Sequence, residues 1–326
     1  MAIGKASNFV INDDLFDTIF IEQINQNVNA FNVASANSIR FVTQMLEGDY
    51  AKTRFFDRLT GGVARRDTTS VSAATDTALT QDEVISVKCS RGFGPYAQTL
   101  DAFEKAQISS EQMTSNLAIM FADEFLKDAL NTGLTAGVAA LSQTTGGQDL
   151  TYDYSGTGNL SHAALIAGRA KMGDAFGRIK AWVMHSKAYH DLVAAQVSVA
   201  SGNVADFAIY EGNAGTLGLP VVVTDSASLV LDATTDNYYT LGLTDNAIVV
   251  QESENRRMVS DLITGLDNLV MRVQGEHAYN VEVKGFKWDT TNGGTNPTSG
   301  TIGTGTNWDS VVADDKDKGG VVIQTT

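Results

Sequence analysis

The sequence predicts an α+β protein with extended arms, and three observations carry that expectation. A helical stripe occupies residues 109–141, strands and helices alternate between about 160 and 255, and long alternating strands return past Arg256. The 326 residues suffice for one large domain or two of ordinary size. With 43% apolar and 8% aromatic side chains, most of the chain is expected to fold around buried cores.

Taken in order, residues 13–47 place Ile24, Val28 and Phe31 on one helical stripe, and Ile39, Val42 and Leu46 resume it. The Asn-rich middle is a poor helix former, so interrupted helices in an N-terminal arm are expected, ended by Gly48 and Asp49. Two strand-like runs, 63–72 and 81–90, follow, joined by the small, polar "AATDTALT". Their flanks hold Arg65, Arg66, Asp67, Lys88 and Arg91. A hairpin polar on both faces is stable only when something covers it, and a neighbouring copy is the expected cover. Those five residues are therefore the candidate inter-subunit contacts. Cys89 alternates with Ile85 and Val87 and reads as a small apolar strand residue, while "RGFGPY" at 91–96 is expected to turn the chain out of the hairpin.

The segment 109–141 is the strongest local signal. Ser109 and Gln112 have capping-box spacing. Met113, Leu117, Met120, Phe121, Phe125, Leu130, Leu134, Val138 and Leu141 mark the stripe of a structural spine on the order of 50 Å long. Gly133 and Gly137 are expected to weaken its last turns, and "TTGGQD" to stop it. Residues 161–177 read as a second helix, capped by Ser161, with Leu165, Ile166, Met172 and Phe176 inward. "IKAWVM" is a buried strand, "SKAYHDLVAAQ" a short helix and "GLPVVVTDSASL" a strand with a loop after it. "NYYTLGL" and "NAIVVQE" add two strands, making 160–255 one α/β or α+β unit. Farther on, Leu269, Met271 and Val273 share one face and Tyr279, Val281 and Val283 another, with "QGEH" as the expected hairpin turn. In the tail, 289–326, "DDKDKGG" reads as a solvated loop and "GVVIQ" as one edge strand.

The net charge of −15, from 38 acidic and 23 basic residues, disfavours adventitious nucleic-acid binding, which relies on Lys and Arg. It leaves open the lining of a container that holds nucleic acid. A single cysteine forms no internal disulfide. No apolar run approaches the roughly 20 residues that span a bilayer, and "MAIGKASNFV" lacks a signal-peptide core, so a soluble cytoplasmic protein is expected.

The one stretch that resembles chemistry is "HSKAYHD", with His185, Ser186, His190 and Asp191. Helical metal pairs need ligands four apart with a third donor, and these histidines are five apart with none at motif spacing. Ser186 is better used as an N-cap, which makes the stretch a strand-to-helix junction. "GxSxG" and "GK[ST]" are absent, and "SGTGN" and "GTGTN" lack a strand–helix setting. "ARRD" at 64–67 reads as an exposed pairing segment before an anion site, and the Asp pairs at 13–14 and 314–315 as solvated. No catalytic residue, cofactor site or metal site is expected. A large chain with long arms and no convergent site points to a structural or assembly protein.

Six phrases then carry a resemblance across nearly the whole chain. They are "FNVASANSI" (31–39), "RRDTTS" (65–70), "VKCSRGFGPY" (87–96), "VMHSKAYHDL" (183–192), "LGLPVVVTDS" (217–226) and "GFKWDTTNGGTNPTSGTIGTGTNWDSV" (285–311). The sequence resembles the major capsid (coat) proteins of tailed bacteriophages, in particular a podovirus-type group. Encapsulin shells and the herpesvirus capsid floor share that fold. The resemblance implies an N-terminal arm at 1–48, an extended loop at 49–96 and a peripheral domain at 97–159 containing the spine. It further implies an axial domain at 160–255 and a return to the peripheral domain, with a C-terminal tail, at 256–326. The implied function is a subunit of an icosahedral virion shell around double-stranded DNA, assembled in the host cytoplasm as pentamers and hexamers. Portal and scaffolding proteins are the implied partners and a decoration protein a further one, with no membrane. An encapsulin-like cargo shell and a soluble β-rich binding or adhesion module are the alternatives.

Overall fold

The computed structural model describes residues 13–43, 48–56, 81–99, 110–144, 148–200, 216–232 and 237–326, with isolated positions between 57 and 109. Helix α1 (Asp13–Ala34) runs unbroken for 22 residues. Phe16, Phe20 and Ile24 recur every four residues and are buried. Their rings meet a second helix, Phe16 at 5.9 Å from Phe121 and Phe20 at 6.5 Å from Phe125. This packing outweighs the low propensity of the asparagines, so the expected interruption does not occur. The chain reverses at Ala36 and Asn37, both at positive φ, and Ile39 opens a strand, not a resumed helical stripe. Strand β1 (Ile39–Thr43) pairs in parallel with a strand some 200 residues later, Ile39 opposite Ile248. Leu46 lies outside the described residues.

Strands β2 (Tyr50–Phe56) and β3 (Gln81–Thr99) form an antiparallel ribbon with Tyr50 opposite Val87 and Phe56 opposite Gln81. The outgoing strand is thus 50–56. Half of the expected strand at 63–72 lies outside the described residues, and Val63, Arg65, Thr68, Thr69 and Val71 within it are exposed and belong to no strand. Nor does the chain turn at 91–96, because β3 continues through a cis Gly94–Pro95 bond as far as Thr99.

Helix α2 (Ser110–Ser142) spans 33 residues, about 50 Å. Phe121, Phe125, Leu134, Val138 and Leu141 are buried as expected, whereas Met120 is 62% exposed. Ser109 of the expected capping box lies outside the described residues. The helix continues through Gly133 and Gly137 to Ser142. A Cβ on Gly137 would stand 2.4 Å from Ile248 Cδ1, so these glycines let a sheet approach closely.

Strand β4 (Thr151–Asp153) precedes α3 (His162–Ala170), where Ser161 Oγ accepts from the Ala164 amide at 3.3 Å. The helix stops short of the expected 177, since Gly173 takes φ +54° and a 3₁₀ turn, Gly173–Arg178, replaces it. Leu165 and Met172 are buried, but Ile166 and Phe176 are half exposed on account of that break. Strand β5 (Ile179–Met184), helix α4 (Ser186–Ala200) and strands β6 (Val221–Val223), β7 (Val230–Asp232) and β8 (Asn237–Thr244) follow. Next come β9 (Ile248–Ile263), β10 (Val270–Val283), β11 (Phe286–Trp288), α5 (Ser299–Ile302), β12 (Trp308–Ser310) and β13 (Gly320–Thr325). "QGEH" is no turn. Strand β10 passes straight through it with a register shift beside Gly275, and the chain reverses instead between Ile263 and Val270.

Two large sheets result. The first has the order β1-β9-β10-β3-β2, the second β4-β13-β8-β5-β6 with β7 on β8, and β11-β12 pair separately. "GVVIQ" is therefore an interior strand, not an edge, with Val321, Val322 and Ile323 wholly buried. The stretch before it is not a solvated loop either. Lys318 is 3% exposed and pairs with Asp315 at 2.7 Å and Gln148 Oε1 at 3.1 Å. Lys316 meets Asp174 and Arg178 meets Asp317, each at 2.6 Å. Hydrogen bonding and charge from Lys316 hold the Asp174 carboxyl below its usual range. Helix α2 touches both sheets, through β9 and β10 on one side and β13 and Ala227–Leu229 on the other.

A Cβ on Gly320 would lie 2.1 Å from the Gly242 carbonyl oxygen in the adjacent strand. Gly320→Ala is expected to cost about 3 kcal/mol or more in chemical denaturation, because backbone cannot yield as a side-chain tip can. Gly156→Ala meets nothing within 4 Å and should stay within about 0.5 kcal/mol.

Candidate intersubunit surfaces

The site is built on β3, whose 19 residues serve two roles. From 81 to 87 it pairs with β2, and from 87 to 99 with β10. The ribbon is therefore a continuation of the first sheet, not an appended loop. At its root, Arg91 Nε donates to Asp128 Oδ2 of α2 at 3.2 Å. Tyr279 of β10 donates to the same oxygen at 2.6 Å and shares a 2.8 Å hydrogen bond with Thr132. Burial and the Asp128 charge push the Tyr279 phenol well above its ordinary range, which keeps it a neutral donor. Lys88 pairs with Glu254 of β9. Between them Cys89 is wholly buried, its thiol pushed up to about 12 by burial, as an apolar strand residue should be.

Two of the five candidate contacts, Lys88 and Arg91, thus have partners on their own chain. Arg65 is exposed, and Arg66 and Asp67 lie outside the described residues. Sequence reasoning missed β2. It also missed the Asp128–Thr132 pair, whose signal was two polar residues four apart on the inward side of an apolar helix.

Along β2 the side chains alternate. Lys52, Arg54 and Phe56 share one face, and Phe56 is 66% exposed. Lys52 meets Glu83 across the ribbon at 3.2 Å. On the other face, Asp82 reaches Lys287 at 3.5 Å.

The histidine stretch resolves as a junction. His185, not Ser186, caps α4, its Nδ1 accepting from the Lys187 amide at 3.2 Å and its carbonyl from the Tyr189 amide at 3.0 Å. Ser186 hydrogen-bonds Asp225 and holds that carboxyl below its usual range. Asp191 pairs with Lys187 at 2.7 Å. Among the described residues no group of three or more His, Cys, Asp or Glu is placed to hold a metal, and no helix is long and apolar enough to cross a membrane. A small apolar gap lies between α1 and the first sheet, lined by Ile24, Phe41 and Val250, and a polar cleft lies beside Arg178 and Lys316. Neither brings a nucleophile to a base.

Comparison with solved structures places this architecture among phage shells. The cyanophage Pam1 capsid asymmetric unit aligns with TM-score 0.54 at 14% identity, covering 90% of this chain and 91% of that one. The acid-stable capsid of Helicobacter pylori bacteriophage KHP30 gives 0.52 at 9% identity, covering 89% and 88%. Mycobacterium phage Cain gives 0.52 at 10% identity, covering 90% and 89%. These likenesses establish the fold. No curated protein matches by sequence. The profile of the Gp13-like family, described as major capsid protein 13-like, matches residues 8–322. The chain belongs to that family, as a structural shell subunit of a phage.

Proposed function

We propose that copies of this subunit close into an icosahedral shell of pentamers and hexamers around double-stranded DNA, each copy completing its ribbon on a neighbour. The carrying observation is that β2 ends the first sheet as an edge strand, paired with β3 alone and with Lys52, Arg54 and Phe56 exposed. An edge strand leaves a row of backbone donors and acceptors free to pair with another chain. Rings of identical subunits need heterologous interfaces that close. Several modest contacts per copy add through effective concentration while each stays reversible during assembly.

In this reading residues 1–48 are the arm, 49–96 the extended loop, 97–159 and 256–326 the peripheral domain and 160–255 the axial domain, except that β4 and β13 belong to the axial sheet and β9 lies wholly in the first sheet. Arg65, Arg66 and Asp67 would contact the neighbour directly, and Lys88 and Arg91 would act there by setting the ribbon's root. The acidic surface suits a container that does not adhere to its contents. Portal, scaffolding and decoration proteins are the proposed partners, host cytoplasm the site of assembly, and no catalysis is assigned. A protein-cargo shell would share the fold, but a phage capsid family favours a genome.

Deleting residues 57–80 and closing the ribbon with a short turn should leave the circular dichroism of the unassembled chain unchanged and abolish closed particles in electron microscopy. Normal particles from that deletion would remove the loop from the account. Replacing His185 and His190 together with Ala should cost about 1 kcal/mol through the lost helix cap and leave assembly intact. An assembly that required a metal, and lost that requirement in the double variant, would reinstate the pair as ligands.

A further inference from the structure

The loop between β11 and α5 holds a reactive pair of residues and its restraint side by side. Of all the asparagines in the chain, Asn292 alone precedes a glycine. That pairing is open to ring closure, in which the following amide nitrogen attacks the carboxamide carbon, because glycine puts no side chain in the way. The fold demands the glycine. A Cβ on Gly293 would stand 2.2 Å from Trp288 Cζ2 and 2.8 Å from the Asp289 carbonyl oxygen. Trp288 is itself fixed, edge-on to Trp308 with centroids 5.0 Å apart, and its Nε1 donates to the Gly294 carbonyl at 3.0 Å. Asn292 is exposed, so water reaches it.

Asp289 holds both reacting groups. Its carbonyl oxygen accepts from the Gly293 amide at 2.9 Å, which engages the nitrogen that would attack. Its carboxylate Oδ1 accepts from the Thr291 amide at 2.8 Å and the Asn292 amide at 3.2 Å, and Oδ2 from Asn292 Nδ2 at 2.5 Å. These bonds, the Thr291 amide foremost, keep the carboxyl below its usual range, so it stays ionised in neutral and alkaline solution. Holding reacting atoms about 1 Å from their attack geometry can slow a reaction about a hundredfold.

We propose that Asn292 is a latent deamidation site and that Asp289 is the positioning residue that keeps it shut. When the turn opens, the Gly293 nitrogen gives its proton to solvent base and bonds to Asn292 Cγ. The bond from Cγ to Nδ2 breaks, ammonia leaves and a cyclic succinimide remains. Water then opens the ring at either carbonyl, giving aspartate or, with the main chain routed through the side chain, isoaspartate. Isoaspartate lengthens the backbone beside Gly293, where Trp288 leaves no room, and sets a second carboxylate against Asp289. The loop's hold on β3, where the Ser90 amide donates to Asn296 Oδ1 at 2.9 Å, would loosen with it.

The test holds the full chain in mildly alkaline buffer, native and in urea, and locates isoaspartate by peptide mapping with an isoaspartyl methyltransferase as the probe. In urea Asn292 should carry most of the isoaspartate, and the native chain should form it there at least about tenfold more slowly. Asp289→Ala should erase most of that difference with circular dichroism unchanged. Asp289→Asn, which keeps an oxygen for the Thr291 and Asn292 amides, should fall between, an ordering that loss of stability alone would not produce. Asn292→Gln should remove the signal. Isoaspartate forming at 292 as fast in the native chain as in urea, or spread evenly over the asparagines in urea, would overturn the proposal. So would a folded Asp289→Ala chain that reacts no faster than the unchanged one. If Asp289→Ala does not fold, Asp289→Asn takes its place, and a rate equal to that of the unchanged chain overturns the role of Asp289.

Discussion

The structure depends on one strand belonging to two places. Strand β3 is held over its second half by β10, and through Arg91 and Tyr279 by Asp128 of the long helix. Over its first half its only strand partner is β2, while Asp82 reaches Lys287 of β11 and Ile85 and Ser86 are buried. A strand cannot rotate one half without twisting the other, so the body dictates where the ribbon points. The ribbon in turn presents an edge and an aromatic side chain that the body does not cover. A rigid root with an incomplete tip is the arrangement an interlocking shell subunit needs, because aim is set within the copy and closure comes from outside it.

Helix α2 is the second organising element, reaching both large sheets along its length. In its C-terminal half Gly133 and Gly137 allow close approach of Ile248 and Val250. The far end is closed by the C-terminal segment. Strand β13 fills the middle of the second sheet, and the charges of 314–318 bind it to Gln148, Asp174 and Arg178. Residues 320–325 thus complete a central strand of the second sheet. Exposed ion pairs of this kind contribute little singly, but Lys318 is buried and hydrogen-bonded on two sides, where removing one partner is costly.

Much of this was legible from the residues. The spine helix announced itself by an apolar stripe sustained over eight turns, and "IKAWVM" and Cys89 by burial patterns too simple to misread. The failures share a physical cause, which is that distant contacts decided them. Asparagines suggest a broken α1, yet Phe16 and Phe20 seat it on α2. "QGEH" and "RGFGPY" carry turn chemistry, yet both lie in strands that pair with each other, Gly275 opposite Phe93. "GVVIQ" looks terminal and therefore peripheral, although strand order in a sheet does not follow chain order. For the candidate contacts, sequence placed charge near the ribbon but could not separate Lys88 and Arg91, which find partners at home, from Arg65, which stays exposed.

The central claim is that a neighbouring copy completes the ribbon, and backbone amide exchange in unassembled and assembled protein tests it most directly. Amides of 50–56 should exchange readily in the free subunit and slow by at least about a hundredfold in particles, while those of β10 and α2 are already protected in both. Equal protection of the ribbon in the free subunit and in the particle would mean that each copy finishes its own ribbon, and the account would be wrong at its foundation.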